Sequence, residues 1–138
     1  MKHPQVLVFE NGTRLLRKLK PMASERRWVL RAYRSIEAVL RALGQPHPTV
    51  LVIKGGTDVP REISLLERAS LSPAEPRLLV VLDVENSLLA GLCGHLGADY
   101  VVQSSEERES LPDLVAKMMH SALECLRPRR AAEEIESC

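Results

Sequence analysis

Aromatic side chains are scarce: one Trp, one Phe and two Tyr make up 3% of the 138 residues. Platforms that stack unpaired nucleic-acid bases need several exposed rings, so that class of function is excluded. Cysteine is sparse as well. Cys93, Cys125 and Cys138 form an odd set with no CxxC spacing, which excludes a disulfide scaffold and suggests reduced thiols in a cytoplasmic protein. The four histidines, His3, His47, His95 and His120, lack HxxxH or any similar ligand spacing, so no metal and no cofactor are expected. No apolar run approaches the roughly 20 residues that cross a bilayer, and the opening MKHPQVLVFENG has too short an apolar run for a secretory signal core. An excess of one charge is also missing. The formal net charge of +1 gives no global field to gather nucleic acid or an anionic membrane.

What is present suits one compact domain. Apolar residues make up 45% of the chain and charged residues 27%, close to ordinary globular usage. Five short runs rich in Val, Leu and Ile recur at Val6–Phe9, Trp28–Tyr33, Val50–Ile53, Leu78–Leu82 and Tyr100–Val102. Runs this short suit strands better than helices. The first, third and fourth are nearly continuous in apolar residues, as in parallel strands covered on both faces. The second alternates, which predicts an edge strand, and Arg26, Arg27, Arg31 and Arg34 around it would discourage strand pairing.

Helical patterns lie between these runs. Leu15, Leu16 and Leu19 mark a first helix that either breaks near Pro21 or continues past it with a kink. Ile36, Val39, Leu40 and Leu43 follow at helical spacing, with Ser35 as N-cap and Gly44 as stop. Ile63, Leu66 and Ala69 mark a third helix. Leu88, Leu89 and Leu92 mark a short fourth, which Gly91, Gly94 and Gly97 should make the loosest. Leu111, Val115, Met118, Ala122 and Cys125 mark a fifth, with Pro112 in its first turn and Ser110 and Asp113 as a capping box. Strand and helix thus alternate five times. That pattern calls for a parallel sheet with right-handed crossovers and helices on both faces. The domain spans residues 1–126, and residues 127–138, basic then acidic, form a polar tail or linker stump.

In such a sheet, chemistry collects beyond the carboxyl ends of the strands. Glu10 and Asn11, the stretch from Lys54 to Asp58, the stretch from Asp83 to Asn86, and Gln103 to Ser105 all stand there. The stretch Lys54-Gly55-Gly56-Thr57 offers either an anion-binding backbone nest or, more simply, a flexible loop without the full P-loop spacing. Cys93 reads as a buried structural thiol, having no activating neighbour in sequence.

Four of these segments resemble the receiver domain of bacterial two-component response regulators over about residues 4 to 126. VLVFENG resembles the first receiver strand, PTVLVIKGG the third, PRLLVVLDV the fourth, and GADYVVQSS the GAD…Lys-Pro segment of the fifth. The resemblance implies a flavodoxin-like three-layer α/β sandwich, with a five-stranded parallel sheet in order 2-1-3-4-5 and five helices. It also implies a phosphoacceptor pocket, and here every key position but Glu10 departs from the family pattern. Glu10 and Asn11 stand where two acidic residues hold Mg²⁺, Lys54 where an Asp accepts phosphate, Asp83 where a hydroxyl senses it, and Ser104 where a Lys clamps it. An amine cannot form an acyl phosphate.

The expectation is therefore a pseudo-receiver that is not an enzyme, with Lys54 paired to Glu10 or Asp83 in place of a metal. It would signal or scaffold through protein contacts, including a homodimer, by the face of the fourth helix, fifth strand and fifth helix, where Tyr100, Arg108 and Lys117 stand. No metal, membrane or direct nucleic-acid contact is expected. The alternatives are a small-ligand sensor in the strand-end crevice and a phosphorylatable receiver with Asp58 as a displaced acceptor.

Overall fold

The computed structural model describes residues 3–45 and 47–131, the last seven of these by backbone alone. Five strands, β1 (Gln5–Phe9), β2 (Val29–Tyr33), β3 (Thr49–Lys54), β4 (Arg77–Val81) and β5 (Tyr100–Val102), form one sheet. All pairings are parallel, and the order is β2-β1-β3-β4-β5. The fold class, strand order and edge position of β2 agree with the sequence reading. The helices are α1 (Arg14–Arg26), α2 (Ile36–Leu43), α3 (Val59–Ser70), α4 (Ser87–His95), α5 (Ser105–Glu109) and α6 (Leu111–Ala131).

The three central strands are buried on both faces, and their residues alternate between two cores. Val6, Val8, Val50, Val52, Leu79 and Val81 face Leu15 and Leu19 of α1 and Leu111, Val115 and Met119 of α6. Leu7, Phe9, Leu51, Ile53, Leu78 and Val80 face Val39, Leu65, Leu66 and Cys93 on the other side. Cys93 is buried, and burial, followed by the charge of Glu62, pushes its thiol pKa up. It is a packed thiol held away from the reactive thiolate form.

Four local features differ from the sequence reading or settle what it left open. The helix α1 runs through Pro21 without interruption and closes only at Arg27, in the left-handed conformation with φ 61°. The capping box forms not at Ser110 and Asp113 but six residues earlier. The Ser104 hydroxyl accepts the Glu107 N–H, and the Glu107 side chain accepts the Ser104 N–H. This nucleates a sixth, short helix, and Ser110 becomes its C-cap, its N–H already donated to carbonyls of α5. The helix α6 extends past residue 126 to Ala131; Cys138 and the rest of the tail, 132–138, lie outside the described residues, as does the side chain of Cys125. Among the described residues no helix is long and apolar enough to cross a membrane.

The glycines near α4 divide by role. Gly91 sits in the helix with open space where a Cβ would go, whereas Gly97 has φ +121° and a Cβ there would lie 2.6 Å from Ser70 Cβ. Only the second requires glycine. Gly91→Ala should therefore raise stability by about 0.5–1 kcal/mol, by helix propensity alone. Gly97→Ala should lower it by more than that. Urea unfolding followed by circular dichroism checks both signs.

Candidate functional site

The site lies at the carboxyl ends of β1, β3 and β4. Parallel pairing in register sets Phe9 beside Ile53 and Lys54 beside Val81, so the residues that follow each strand converge there. Glu10, Lys54 and Asp83 are all strand-end groups of this kind, and each finds its partner within the chain.

Lys54 Nζ lies 2.8 Å from Asp83 Oδ2. Of the two partners the sequence offered, Asp83 is the one engaged. The Lys54 hydrogen bond, ahead of burial and of Arg14 and Arg108 nearby, holds the Asp83 carboxyl below its ordinary pKa. The pair is not desolvated as a unit: the Lys54 side chain is 17% exposed and that of Asp83 53%. The several-kcal/mol penalty for breaking a buried pair does not apply to such geometry.

Glu10 does something else. Its carboxylate, 7% exposed, accepts the N–H groups of Leu15 at 3.2 Å and Leu16 at 3.0 Å. These are donors of the first turn of α1 that the nominal cap, Thr13, leaves unpaired. A carboxylate at a helix N-terminus satisfies both the donors and the helix dipole. Asn11 is exposed at the mouth of the crevice.

The third carboxylate, Glu62, was not singled out from sequence. It is 8% exposed and accepts the N–H groups of Gly56 at 2.8 Å, Thr57 at 3.1 Å and Asp58 at 2.7 Å. The Gly-Gly loop is thus a backbone nest, with the chain's own carboxylate as its anion. Gly55 makes the approach possible: a Cβ there would stand 2.8 Å from a Leu82 methyl and 3.7 Å from Glu62 Oε1. The available signal was Glu62 itself, an acidic residue in the first turn of a helix that begins just after a glycine pair.

Two arginines complete the site. The Arg108 guanidinium donates to the carbonyls of Leu82 at 2.6 Å and Gln103 at 2.9 Å, tying the ends of β4 and β5 together. It therefore does not stand on the outer face with Tyr100 and Lys117, because two strand-end carbonyls need a donor. Arg61 donates to the Arg34 carbonyl and lies 5.1 Å from the Phe9 ring centroid. The crevice enclosed by Glu10, Lys54, Asp58 and Glu62 has a volume of about 20 Å³, room for about one water molecule. Ser104, at the last position of the sequence motif, is occupied as the cap of α5.

Mg²⁺, which the receiver resemblance implies, does not fit these residues. It is held through carboxylates whose negative charge offsets its own. Both Glu10 oxygens accept backbone N–H groups, Asn11 adds no charge, and an ammonium takes the Asp83 oxygen. Among the described residues no three His, Cys, Asp or Glu side chains converge as a metal set.

On the outer side, the Tyr100 hydroxyl donates to Glu107, which pushes the Tyr100 pKa up and that of Glu107 down. Tyr100 and Lys117 line one open groove of about 380 Å³ with Glu106, Glu107, Asp113 and Leu114.

Two outcomes test this wiring. Glu62→Gln removes the charge from three hydrogen bonds and should cost about 1–3 kcal/mol, with faster amide hydrogen exchange at Gly56, Thr57 and Asp58. Lys54→Met should cost less than about 1 kcal/mol, since the pair is half-exposed. It should also return the Asp83 carboxyl to its ordinary titration range by NMR. A depressed carboxylate pKa stabilises the fold above its unfolded value and is lost as pH falls through the folded one. The stability gap between Lys54→Met and the unaltered chain should therefore close in acid and be open at neutral pH.

No protein-family model matches the chain, and no curated protein is significantly similar. Solved structures are. A response regulator from Thermotoga maritima superposes with a TM-score of 0.71 at 13% identity, over 86% of this chain and 98% of that one. A signal receiver domain from Vibrio parahaemolyticus gives 0.69 at 17% identity, over 90% and 96%. An orphan response regulator of H. pylori gives 0.67 at 14% identity, over 83% and 95%. Sequence identity this low speaks for the backbone rather than for the chemistry, and on the backbone the agreement spans nearly the whole domain: the chain has the fold of a response-regulator receiver domain.

Proposed function

We propose that the protein is a phosphorylation-independent signalling or scaffolding module, a pseudo-receiver that performs no reaction and acts through protein contacts. The observation that carries this reading is the Lys54 ammonium, 2.8 Å from Asp83, at the position corresponding to the receiver's acceptor carboxylate. The amine forms no acyl phosphate, and Asp83 would repel an incoming phosphoryl group. The loop amides that would otherwise be free to receive an anion already hold Glu62. A crevice of about 20 Å³ is far below the several hundred Å³ of an ordinary small-molecule site, which speaks against the ligand-sensor alternative.

Exposed apolar residues mark the contact face. Val84, Leu88 and Leu92 are 70%, 88% and 44% exposed, and a spacing of four sets Leu88 and Leu92 in one row on α4. Tyr100, 41% exposed, and the groove lined by Lys117 continue that side of the molecule. An apolar ridge with a polar border is the usual mark of a surface that meets another protein.

Incubation with acetyl phosphate and Mg²⁺ should leave the intact mass unchanged. A stable gain of one phosphoryl group that Asp58→Asn abolishes would overturn the reading in favour of a displaced acceptor. For the face, Leu88→Glu should abolish retention of whichever native partner the full chain captures. Leu71→Glu, an equally exposed leucine beyond the end of α3, should not.

A further inference from the structure

The near-zero net charge conceals a segregated one. Residues 11–45 contain nine Lys and Arg against two Glu, and residues 83–113 contain seven Asp and Glu against one Arg. The intervening stretch 46–82 balances four against four, as does 114–138. The sheet order turns this linear pattern into a spatial one. The basic stretch is α1, β2 and α2 at one edge, and the acidic stretch is the segment from Asp83 through α4, β5 and α5 at the other.

All nine basic side chains are exposed, and among the described residues none forms an ion pair. Arg17 turns to the Thr13 hydroxyl and Arg26 to the Trp28 ring, 5.4 Å away, not to any carboxylate. On the opposite edge Glu85, Glu106, Glu109 and Asp113 are exposed, with no cation paired to them among the described residues. The one arginine there, Arg108, is spent on two carbonyls. Strands about 4.8 Å apart put the two edges of a five-stranded sheet roughly 19 Å apart. That is beyond the screening length of about 10 Å at 0.1 M salt, so apart from Arg14 acting on Asp83 at the strand ends the two edges do not neutralise each other within one molecule. Segregation of this kind costs self-repulsion at each edge and is compensated when an edge meets its complement.

We infer that the basic β2 edge of one copy docks on the acidic β5 edge of another, giving a heterologous, head-to-tail association. Both complementary surfaces are present in the same chain. Each has an apolar centre for the contact: half-buried Trp28 and Leu30 on one edge, exposed Leu88, Leu92 and Tyr100 on the other. Because the two surfaces differ, the contact builds rows or rings instead of a closed symmetric dimer. This rests on the β5 side being a contact face, as proposed above, and names what it meets.

Sedimentation velocity of the full chain tests it. At about 10 mM salt, where screening extends to about 30 Å, the sedimentation coefficient should rise with protein concentration beyond that of a dimer. At about 1 M salt, where it falls to about 3 Å, only monomer should remain. Arg17→Glu with Lys18→Glu should abolish the association, and so should Glu106→Lys with Glu109→Lys. An equimolar mixture of the two variants should restore one contact, as a 1:1 complex, since the unaltered acidic edge of the first meets the unaltered basic edge of the second. Restoration also shows that both variants are folded. A monomer at low salt, an association indifferent to salt, or a mixture that stays monomeric would overturn the inference. If the β2-edge changes have no effect while Leu88→Glu still abolishes partner capture, the head-to-tail contact fails and the contact-face reading stands.

Discussion

The Glu62 carboxylate, 8% exposed and held by three backbone N–H groups at 2.7–3.1 Å, constrains everything around it. An unpaired carboxylate buried at that depth would be costly, so the loop from Gly55 to Asp58 must turn its amides inward. The turn requires Gly56 at φ +93° and, at Gly55, a residue without Cβ to pass Leu82. With the loop fixed, the start of α3 is fixed, and with it Arg61, whose guanidinium closes the crevice over Phe9. After burial, the charge of the same carboxylate helps to raise the thiol pKa of Cys93 on α4.

The strand-end region holds its charges in the same way throughout. Glu10 caps α1, Asp83 takes the Lys54 ammonium, and Arg108 takes the carbonyls of Leu82 and Gln103. Each is a short-range arrangement in which a group that would otherwise seek an external ligand finds a donor or acceptor in the chain. A binding site needs unsatisfied groups aimed at a cavity. Here the groups are satisfied and the cavity is about the size of a water molecule. The exposed apolar row of α4 and the two charged edges lie outside this region, and on the proposed reading they are what a partner would meet.

The sequence by itself determined the fold, because the signals that specify it are local. Five β-branched and leucine-rich runs alternating with helical periodicity leave few topologies once right-handed crossovers are required. Apolar continuity in Val6–Phe9 and Val50–Ile53 placed those strands inside, and the arginines around Val29–Tyr33 marked an edge. The chemical departures at Lys54, Asp83 and Ser104 were legible too, as residue types standing at known strand ends. Cap identity was less so: Ser104 and Ser110 each precede an acidic residue three positions on, and local pattern alone does not choose between them.

The partners of those residues were decided by tertiary structure. Glu10 and Asp83 stood as equal candidates for Lys54, and only the register of β3 against β4 brings Asp83 within 2.8 Å, while the N-terminus of α1 claims Glu10. Glu62 stood in sequence only as an acidic residue in a helix's first turn, and nothing matched it to Gly56, Thr57 and Asp58, because a hydrogen bond to the backbone leaves no trace in residue type at the donor. Arg108 was assigned to an outer face and turns inward for the same reason. The charge pattern is split between the two levels: the run of basic residues from 11 to 45 is written in the chain, but it becomes a surface opposite an acidic one only because the crossovers put β2 and β5 at opposite ends of one sheet.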